Sequence, residues 1–581
     1  MEANSVLTGA RDLITRTLAV WKAPGMAVGI VRDGRVVLAE GFGLRNQAQD
    51  LPVTPHTLFA IGSATKAFTA TSVGILASDN LLDWDKPVRT YLPSFALADS
   101  FATERMTPRD LLTHRAGLPR HDFMWYNSPA TRQELFDRLR FLEPSKDFRT
   151  AFQYQNLMYM TAGHLVGVLS GGSWEDFVRQ RLFTPLEMTS ANFSVAQMQH
   201  APDYALPYQE QHDEVSVIPF RPIDTVGPAG SINASLTDML QWLRLQLDHG
   251  ARNGAQVIAA SDLAQLHSPQ MVVQDATFRM LFQADLLSYG LGWFIQSYKG
   301  RQMIHHGGNI DGFSALISFL PQDHLGIVTL SNLNGTMAPV AATYSLYDQL
   351  LGLPPTDWNG QLQQVHAQQK AALEQGKATT QADRKPHTQP SHPLATYAGE
   401  YAHPGYGVAR IEIVEPAAPG SAPLRFTYNA IEYAMTHYHY DTFEIANEQL
   451  ELRIKLTFQL DAQGNIARCS LPLEPNVADI IFARQADRRM RERAFLERFA
   501  GDYIMLTIPI RVALRGEDTL VVSLPGQPDQ ELVPYEGTTF TLKGQDAVRV
   551  RFVASEDGHV REALLMQPGA TLTLQRAAPP A

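Results

Sequence analysis

Ser63-Ala64-Thr65-Lys66 is the only Ser-x-x-Lys in the chain. It opens a stretch, Ser63 to about Ser78, whose apolar positions Ala67, Ala70, Val73, Gly74 and Ala77 recur at three- and four-residue spacing. Residues i and i+3 share one face of a helix, so the Lys66 amine reaches the Ser63 hydroxyl and can act as the base of a nucleophile. Ser63 is then expected in the first helical turn, where backbone N–H groups lack partners and can meet a developing oxyanion. A neutral lysine is costly: moving its pKa from about 10.4 toward 7 takes roughly 4 to 5 kcal/mol of desolvation or nearby positive charge. Tyr154-Gln155-Asn156 offers a second proton-transfer group, a phenol two residues from an amide able to hold both the lysine and a substrate carbonyl. A third cluster, His305 to Phe313, runs directly into the strand-like segment Ser314 to Leu320.

These residues need a scaffold, and the patterning supplies one. Residues 26 to 31 and 36 to 39 are apolar runs flanking Arg32-Asp33-Gly34-Arg35, which predicts an antiparallel hairpin. Helical stretches are expected at Ala130 to Phe141, Tyr159 to Leu169 and Leu236 to Leu247, and further strands at Met303 to His305 and Gly326 to Leu330. From Asn359 to Pro393 the composition turns rich in Gln, Ala and Lys, which predicts a linker, helical in its first half and extended near its prolines. The remainder is strand-like and turn-rich. In it LATYAGEY at Leu394 to Tyr401 returns as LERFAGDY at Leu496 to Tyr503, so two copies of one β-module are expected.

Composition narrows the function. The chain has 581 residues, 48 basic against 59 acidic for a net charge of −11, and no basic stripe, which disfavours nucleic-acid binding. Cys469 is the only cysteine, so neither an intrachain disulfide nor a cysteine-rich zinc site can form, and a cytoplasmic setting is expected. The N-terminal residues lack the pattern of a secretory signal, and no apolar run is long enough for a transmembrane helix. No Gly-x-Ser-x-Gly, His-Glu-x-x-His or P-loop occurs. His437, His439 and Asp441 alternate on an expected strand and could face one metal, but a polar barrel face is the preferred reading. His114 and His121 are expected to be structural.

Ser-x-x-Lys, then Tyr-x-Asn, then His-x-Gly-x-x-x-Gly-Phe counted from His306 resemble, in that order and spacing, the serine β-lactamase and penicillin-binding-protein superfamily. The likeness is to its class C side, with class C β-lactamases, D-alanyl-D-alanine carboxypeptidases, D-aminopeptidases and esterases. Leu111 to Pro119 and Pro228-Ala229-Gly230-Ser231 look like intervening segments of the same family, and the likeness covers residues 8 to 352. The C-terminal half resembles the lipocalin-like barrels that follow such modules in archaeal and bacterial peptidases acting on D-amino-acid peptides.

The resemblance implies an α/β (α+β) hydrolase domain, an antiparallel sheet flanked by helices plus an all-helical lobe, followed by two antiparallel β-barrels. The expected boundaries are 1–355 for the hydrolase, 356–393 for the linker, and 394–486 and 487–581 for the barrels. It makes Ser63 the acylated nucleophile, has Lys66 and Tyr154 share proton transfer, and has Asn156 orient a substrate amide. The oxyanion hole would be the N–H groups of Ser63 and Asn309, with Gly308 letting substrate approach the strand edge. His306 stands where β-lactamases carry the lysine of Lys-Thr-Gly, so weak β-lactamase or penicillin-binding activity at most is expected.

The function so implied is a serine hydrolase acting on amide bonds of small peptides, D-residues among them. A carboxylesterase using the same residues is the alternative, and a binding protein with a relic hydrolase domain is a third reading. The partners expected are a small peptide, amide or ester, with no nucleic acid, no membrane, no metal and no cofactor; a homo-oligomer is compatible with this. Because the linker has few apolar side chains, a cut near Lys385 is expected to leave a folded, acylatable hydrolase domain with altered substrate choice.

Overall fold

The structure is a computed structural model that describes residues 3–281, 283–414, 422–555 and 559–577. The Asp33-Gly34 pair turns the chain as expected: both residues have positive φ (51° and 72°), which matches the right-handed twist of the strands Gly25–Arg32 and Arg35–Asn46 that it joins. That hairpin does not stand alone. Gly25–Arg32 pairs antiparallel with Leu325–Ser331, which pairs with Phe313–Leu320, then Arg301–Ile310, then Phe294–Tyr298. The result is a nine-stranded antiparallel sheet in which the two ends of this part of the chain meet at the centre.

Every residue of Phe313–Leu320 and Leu325–Ser331 is buried, because both faces of the sheet are covered. Helix Ala338–Leu350 and the N-terminal helix Ala3–Val20 close one face through Ile14, Leu18, Tyr344 and Leu346. Helix Leu236–Leu247 lies on the other, where Gly29 faces Leu236 and Leu240 and Gly326 faces Leu243 at distances no Cβ would allow. Its start is fixed by a capping box in which Ser235 and Asp238 exchange hydrogen bonds.

Beside the sheet lies a helical lobe. Helix Thr65–Ser78 is buried from Thr65 to Leu76, and its small Ala, Thr, Ser and Gly side chains let neighbouring chain approach on all sides. Helix Leu157–Ser170 packs next to it, with Gly163 against the ring of Pro228. Asp110 ties the lobe's loops together: this fully buried carboxylate accepts hydrogen bonds from Thr107, Arg115 (2.6 Å) and Arg149 (2.6 Å). Burial alone would push Asp110 up, but the hydrogen bonds and charges of Arg149 and Arg115 outweigh it and hold the group below the usual carboxylate range.

The expected linker carries a 25-residue helix, Trp358–Ala382, anchored at its start. Trp358 and Leu362 are buried and the indole donates to Asp348 (2.9 Å), so the segment is fastened where it begins. The compact unit built on the sheet runs to Arg384 and also takes in two short segments from later in the chain, Pro404–Tyr406 and Leu473–Asp479. A cut near Lys385 would therefore strip this unit of two of its own pieces.

The second unit contains two closed barrels of eight antiparallel strands, one from Gly399–His403 to Ile480–Arg484, the other from Gly501–Met505 to Ala570–Arg576. The repeat seen in the sequence is visible atom by atom. Tyr401 Oη donates to Tyr397 O and Tyr503 Oη to Phe499 O, each at 2.9 Å, while Arg484 and Arg576 donate to the carbonyls of Ala398 and Ala500. The interiors are filled with side chains, among them Phe426, Phe443, Phe458 and Phe482 in the first barrel and Phe540 and Phe552 in the second. The expected alternation of His437, His439 and Asp441 is broken by a bulge between the two histidines. His437 Nε2 bonds its own turn at Tyr440 O (2.9 Å), and Asp441 accepts from Ser391 and Tyr397.

Candidate active site

The strand Phe294–Tyr298 ends its pairing with Arg301–Ile310 at Phe294 opposite His305, which leaves the edge of Gly307 to Ile310 open on that side. The short turn Gly62–Ala64 fills part of the gap. A Cβ on Gly308 would lie 1.8 Å from Ile61 O, and one on Gly62, whose φ is +52°, would lie 2.9 Å from Asn309 N. A side chain at Gly308 is thus excluded by the chain itself, and Gly308 also lines the cavity that opens on Ser63. The contact sets Ser63 beside Asn309, and Ser63 sits in a tight turn just ahead of helix Thr65–Ser78 rather than in its first turn.

Lys66 is fully buried, and its Nζ lies 3.1 Å from Ser63 Oγ, 2.7 Å from Asn156 Oδ1 and 2.8 Å from Ala229 O. The last two are carbonyl oxygens and can only accept. Burial, with help from the nearby Arg120 charge, pulls the lysine well below its ordinary pKa. A neutral amine has two N–H bonds and one lone pair. In that form the two carbonyls would take both N–H bonds, and the lone pair would be left for the Ser63 hydroxyl.

The Tyr154 hydroxyl also hydrogen-bonds Ser63, and burial raises its pKa, so at neutral pH it is a phenol. Asn156 is held by both ends of its amide: Oδ1 accepts from Lys66 and Nδ2 donates to Asp122 Oδ1 (3.3 Å). Asp122 in turn accepts from Trp125 Nε1 (2.9 Å) and Arg120 Nε (2.6 Å). Asn156 is therefore a brace for Lys66, as expected of an amide at that spacing.

His306 is internally satisfied. Its Nδ1 lies 2.6 Å from Gly307 O, which can only accept, so Nδ1 carries the proton and Nε2 accepts from Tyr289 Oη at 3.1 Å. Burial pushes its pKa down to about 3, so the ring is neutral. It lines a cavity of about 280 Å³ that opens on Ser63, with Arg120, Tyr154, Phe278, Phe294 and Asn309 also in the wall.

Residues 10–351 match the family described as Beta-lactamase. The chain belongs to the beta-lactamase family. As such it is a serine hydrolase, and residues 383–484 match a second family, a domain of unknown function (DUF3471). Among relatives of this beta-lactamase family member is the "Unguisins hydrolase ungD'" of Aspergillus campestris, 30% identical over 415 residues, covering 68% of this chain and 76% of that one. Among solved structures, the octameric penicillin-binding protein homologue from Pyrococcus abyssi superposes with a TM-score of 0.52 at 20% identity, over 82% of this chain and 99% of that one. The D-amino acid amidase from Ochrobactrum anthropi gives 0.51 at 19% identity, over 60% and 99%. These two likenesses are of fold. Among the described residues of this beta-lactamase family chain, no helix is long and apolar enough to cross a membrane.

Several groups at the site have no signature in residue types or spacing. The Ala229 carbonyl is a backbone atom and leaves no mark in side-chain types. Arg120 and Asp122 flank His121, which has a left-handed backbone (φ 47°). His121 donates its N–H to Glu474 (2.9 Å), its Nε2 lies 3.0 Å from Glu143 O, and its Nδ1 lies 2.7 Å from Tyr406 Oη. Glu474 and Tyr406 come from the two later segments of the same compact unit, so that unit holds the Arg120–Asp122 turn with residues from beyond the linker.

Proposed function

We propose that the chain is an amidase or peptidase that forms an acyl-enzyme on Ser63 with small peptides, D-residues among them. Lys66 takes the Ser63 proton as Oγ bonds to the substrate carbonyl carbon, and the carbonyl oxygen gains the electron pair under the N–H groups of Ser63 and Asn309. The C–N bond then breaks as the Tyr154 phenol gives its proton to the leaving nitrogen, and the phenolate left behind takes up the proton that Lys66 removed from Ser63, the Lys66 Nζ lying 4.9 Å from the centroid of the Tyr154 ring. Water reverses the sequence and releases the acid. The observation that carries this reading is the setting of Lys66, its Nζ held by two carbonyl acceptors and 3.1 Å from the Ser63 hydroxyl.

A neutral phenol at Ser63 favours amides over esters as the natural substrates, because an amine leaves only when protonated whereas an alkoxide or phenolate needs less help. A carboxylesterase is the reading this argument disfavours, and the intact Ser63, Lys66 and Tyr154 constellation disfavours a relic that only binds. A cytosolic setting, drawn from the single cysteine, belongs to the same proposal. Purified protein assayed on p-nitroanilides of L- and D-amino acids beside p-nitrophenyl esters tests it: anilide turnover supports the reading, and turnover of esters alone contradicts it.

Two expectations arise here. Tyr154→Phe should lower kcat/KM on anilides by about 10²- to 10⁴-fold and on nitrophenyl esters by far less, since only the amine needs the proton; equal losses on both would remove Tyr154 as the donor. Benzylpenicillin should acylate Ser63 slowly and show little turnover. The ring at His306 offers a β-lactam carboxylate no cation and has both nitrogens committed to Gly307 and Tyr289. Hydrolysis at the rate of a dedicated β-lactamase would contradict that account of His306.

A further inference from the structure

His114 has a left-handed backbone with φ +55°, a conformation that asparagine, aspartate, histidine and glycine tolerate better than most residues. It is fully buried, 40 residues before Tyr154, yet it touches residues 153–155 three times. Its carbonyl accepts Gln153 N–H at 2.7 Å, its Nδ1 accepts Gln155 N–H at 3.3 Å, and its ring lies on that of Tyr154 with centroids 4.3 Å apart. One histidine thus holds the backbone on both sides of Tyr154 and the phenol ring between them.

The tautomer follows from the donors. Because Nδ1 accepts an N–H, the neutral ring carries its proton on Nε2, which is buried with no hydrogen-bond partner among the described residues; the ring as a whole lies 5.2 Å from that of Tyr159 and 4.7 Å from that of Tyr289. A hydrogen bond to Nε2 is thus forgone while the bond to Gln155 is kept. Phenylalanine or tyrosine would stack equally well but offers the Gln155 N–H no acceptor at that position.

We infer that His114 is a positioning residue for Tyr154, clamping residues 153–155 so that the phenol reaches Ser63. The inference rests on the proposed role of Tyr154 as proton donor. Misplacing a reacting group by about 1 Å costs on the order of 100-fold, so loss of the clamp should be felt in kcat on amides more than in KM.

Two variants separate the clamp from mere filling. His114→Gly and His114→Asn both tolerate the backbone, keep the carbonyl bond to Gln153 and lose the ring. Only asparagine sets an acceptor, Oδ1, where Nδ1 was. His114→Gly is expected to lower kcat on anilides by about 10- to 100-fold with a smaller effect on esters, to leave KM nearly unchanged, and to lose little further when combined with Tyr154→Phe. His114→Asn should recover part of that loss. Equal losses on anilides and esters, losses that multiply with those of Tyr154→Phe, or no recovery with asparagine would overturn the inference. Should Tyr154→Phe alone leave anilide turnover intact, the donor role of Tyr154 fails. The clamp is then read from a crystal structure of His114→Gly, where displacement of residues 153–155 from Ser63 supports it and an unmoved segment refutes it.

Discussion

Ser63→Ala is expected to abolish turnover, by at least about 10⁴-fold in kcat, while leaving the fold and its thermal midpoint nearly unchanged. The side chain lost is small, half-buried and sits at the mouth of the cavity, so its removal leaves no large void. What remains cannot form an ester with substrate. Lys66 keeps both of its carbonyl partners, Asn156 and Ala229, so the surrounding loops keep their anchor. Rates on anilides and esters with a melting curve of each protein check this. Turnover within tenfold of the unaltered enzyme would remove Ser63 as the nucleophile.

Lys66→Met should be nearly as severe, about 10³- to 10⁵-fold, because the apolar chain fills the space and cannot take the Ser63 proton. Combined with Ser63→Ala it should add almost nothing, as groups that act as one unit are not additive. The pH profile reports the same residue. Burial lowers the lysine pKa, so the base is present above that depressed value and lost as pH falls through it. An acid limb in kcat/KM is therefore expected well below the ordinary lysine range, and Lys66→Met should erase it from whatever activity survives. His306 contributes no limb near neutrality, because its pKa lies at about 3. An acid limb that persists unchanged in Lys66→Met would assign it to another group.

Much of this site is legible from residue types and spacing, and the rest is hidden for identifiable reasons. The i, i+3 pair Ser63 and Lys66 is a local relation, and the structure brings the two within 3.1 Å. Tyr154 and Asn156 are read from order along the chain, and both converge on Ser63 and Lys66. The two barrels are legible because a repeated segment demands a repeated module, and Tyr401 and Tyr503 make the same bond in each. Gly308 has a further reason that the sequence does not announce: a Cβ there would meet Ile61 O, a partner that only the folded chain provides. The Ala229 carbonyl has no side-chain signature. The neutral state of His306 depends on Tyr289 and a carbonyl next to it, which nothing in His-x-Gly announces. The hold of Tyr406 and Glu474 on His121 joins residues far apart in sequence, across a segment that reads as a mere linker.

Labelling the purified full-length protein with a fluorophosphonate and mapping the adduct by mass spectrometry bears on the whole reading at once. A single adduct on Ser63, formed within minutes, absent from Ser63→Ala and strongly slowed in Lys66→Met, is the predicted result. Stable labelling of a different serine, or no labelling of Ser63 in a protein that still turns over substrate, would contradict it.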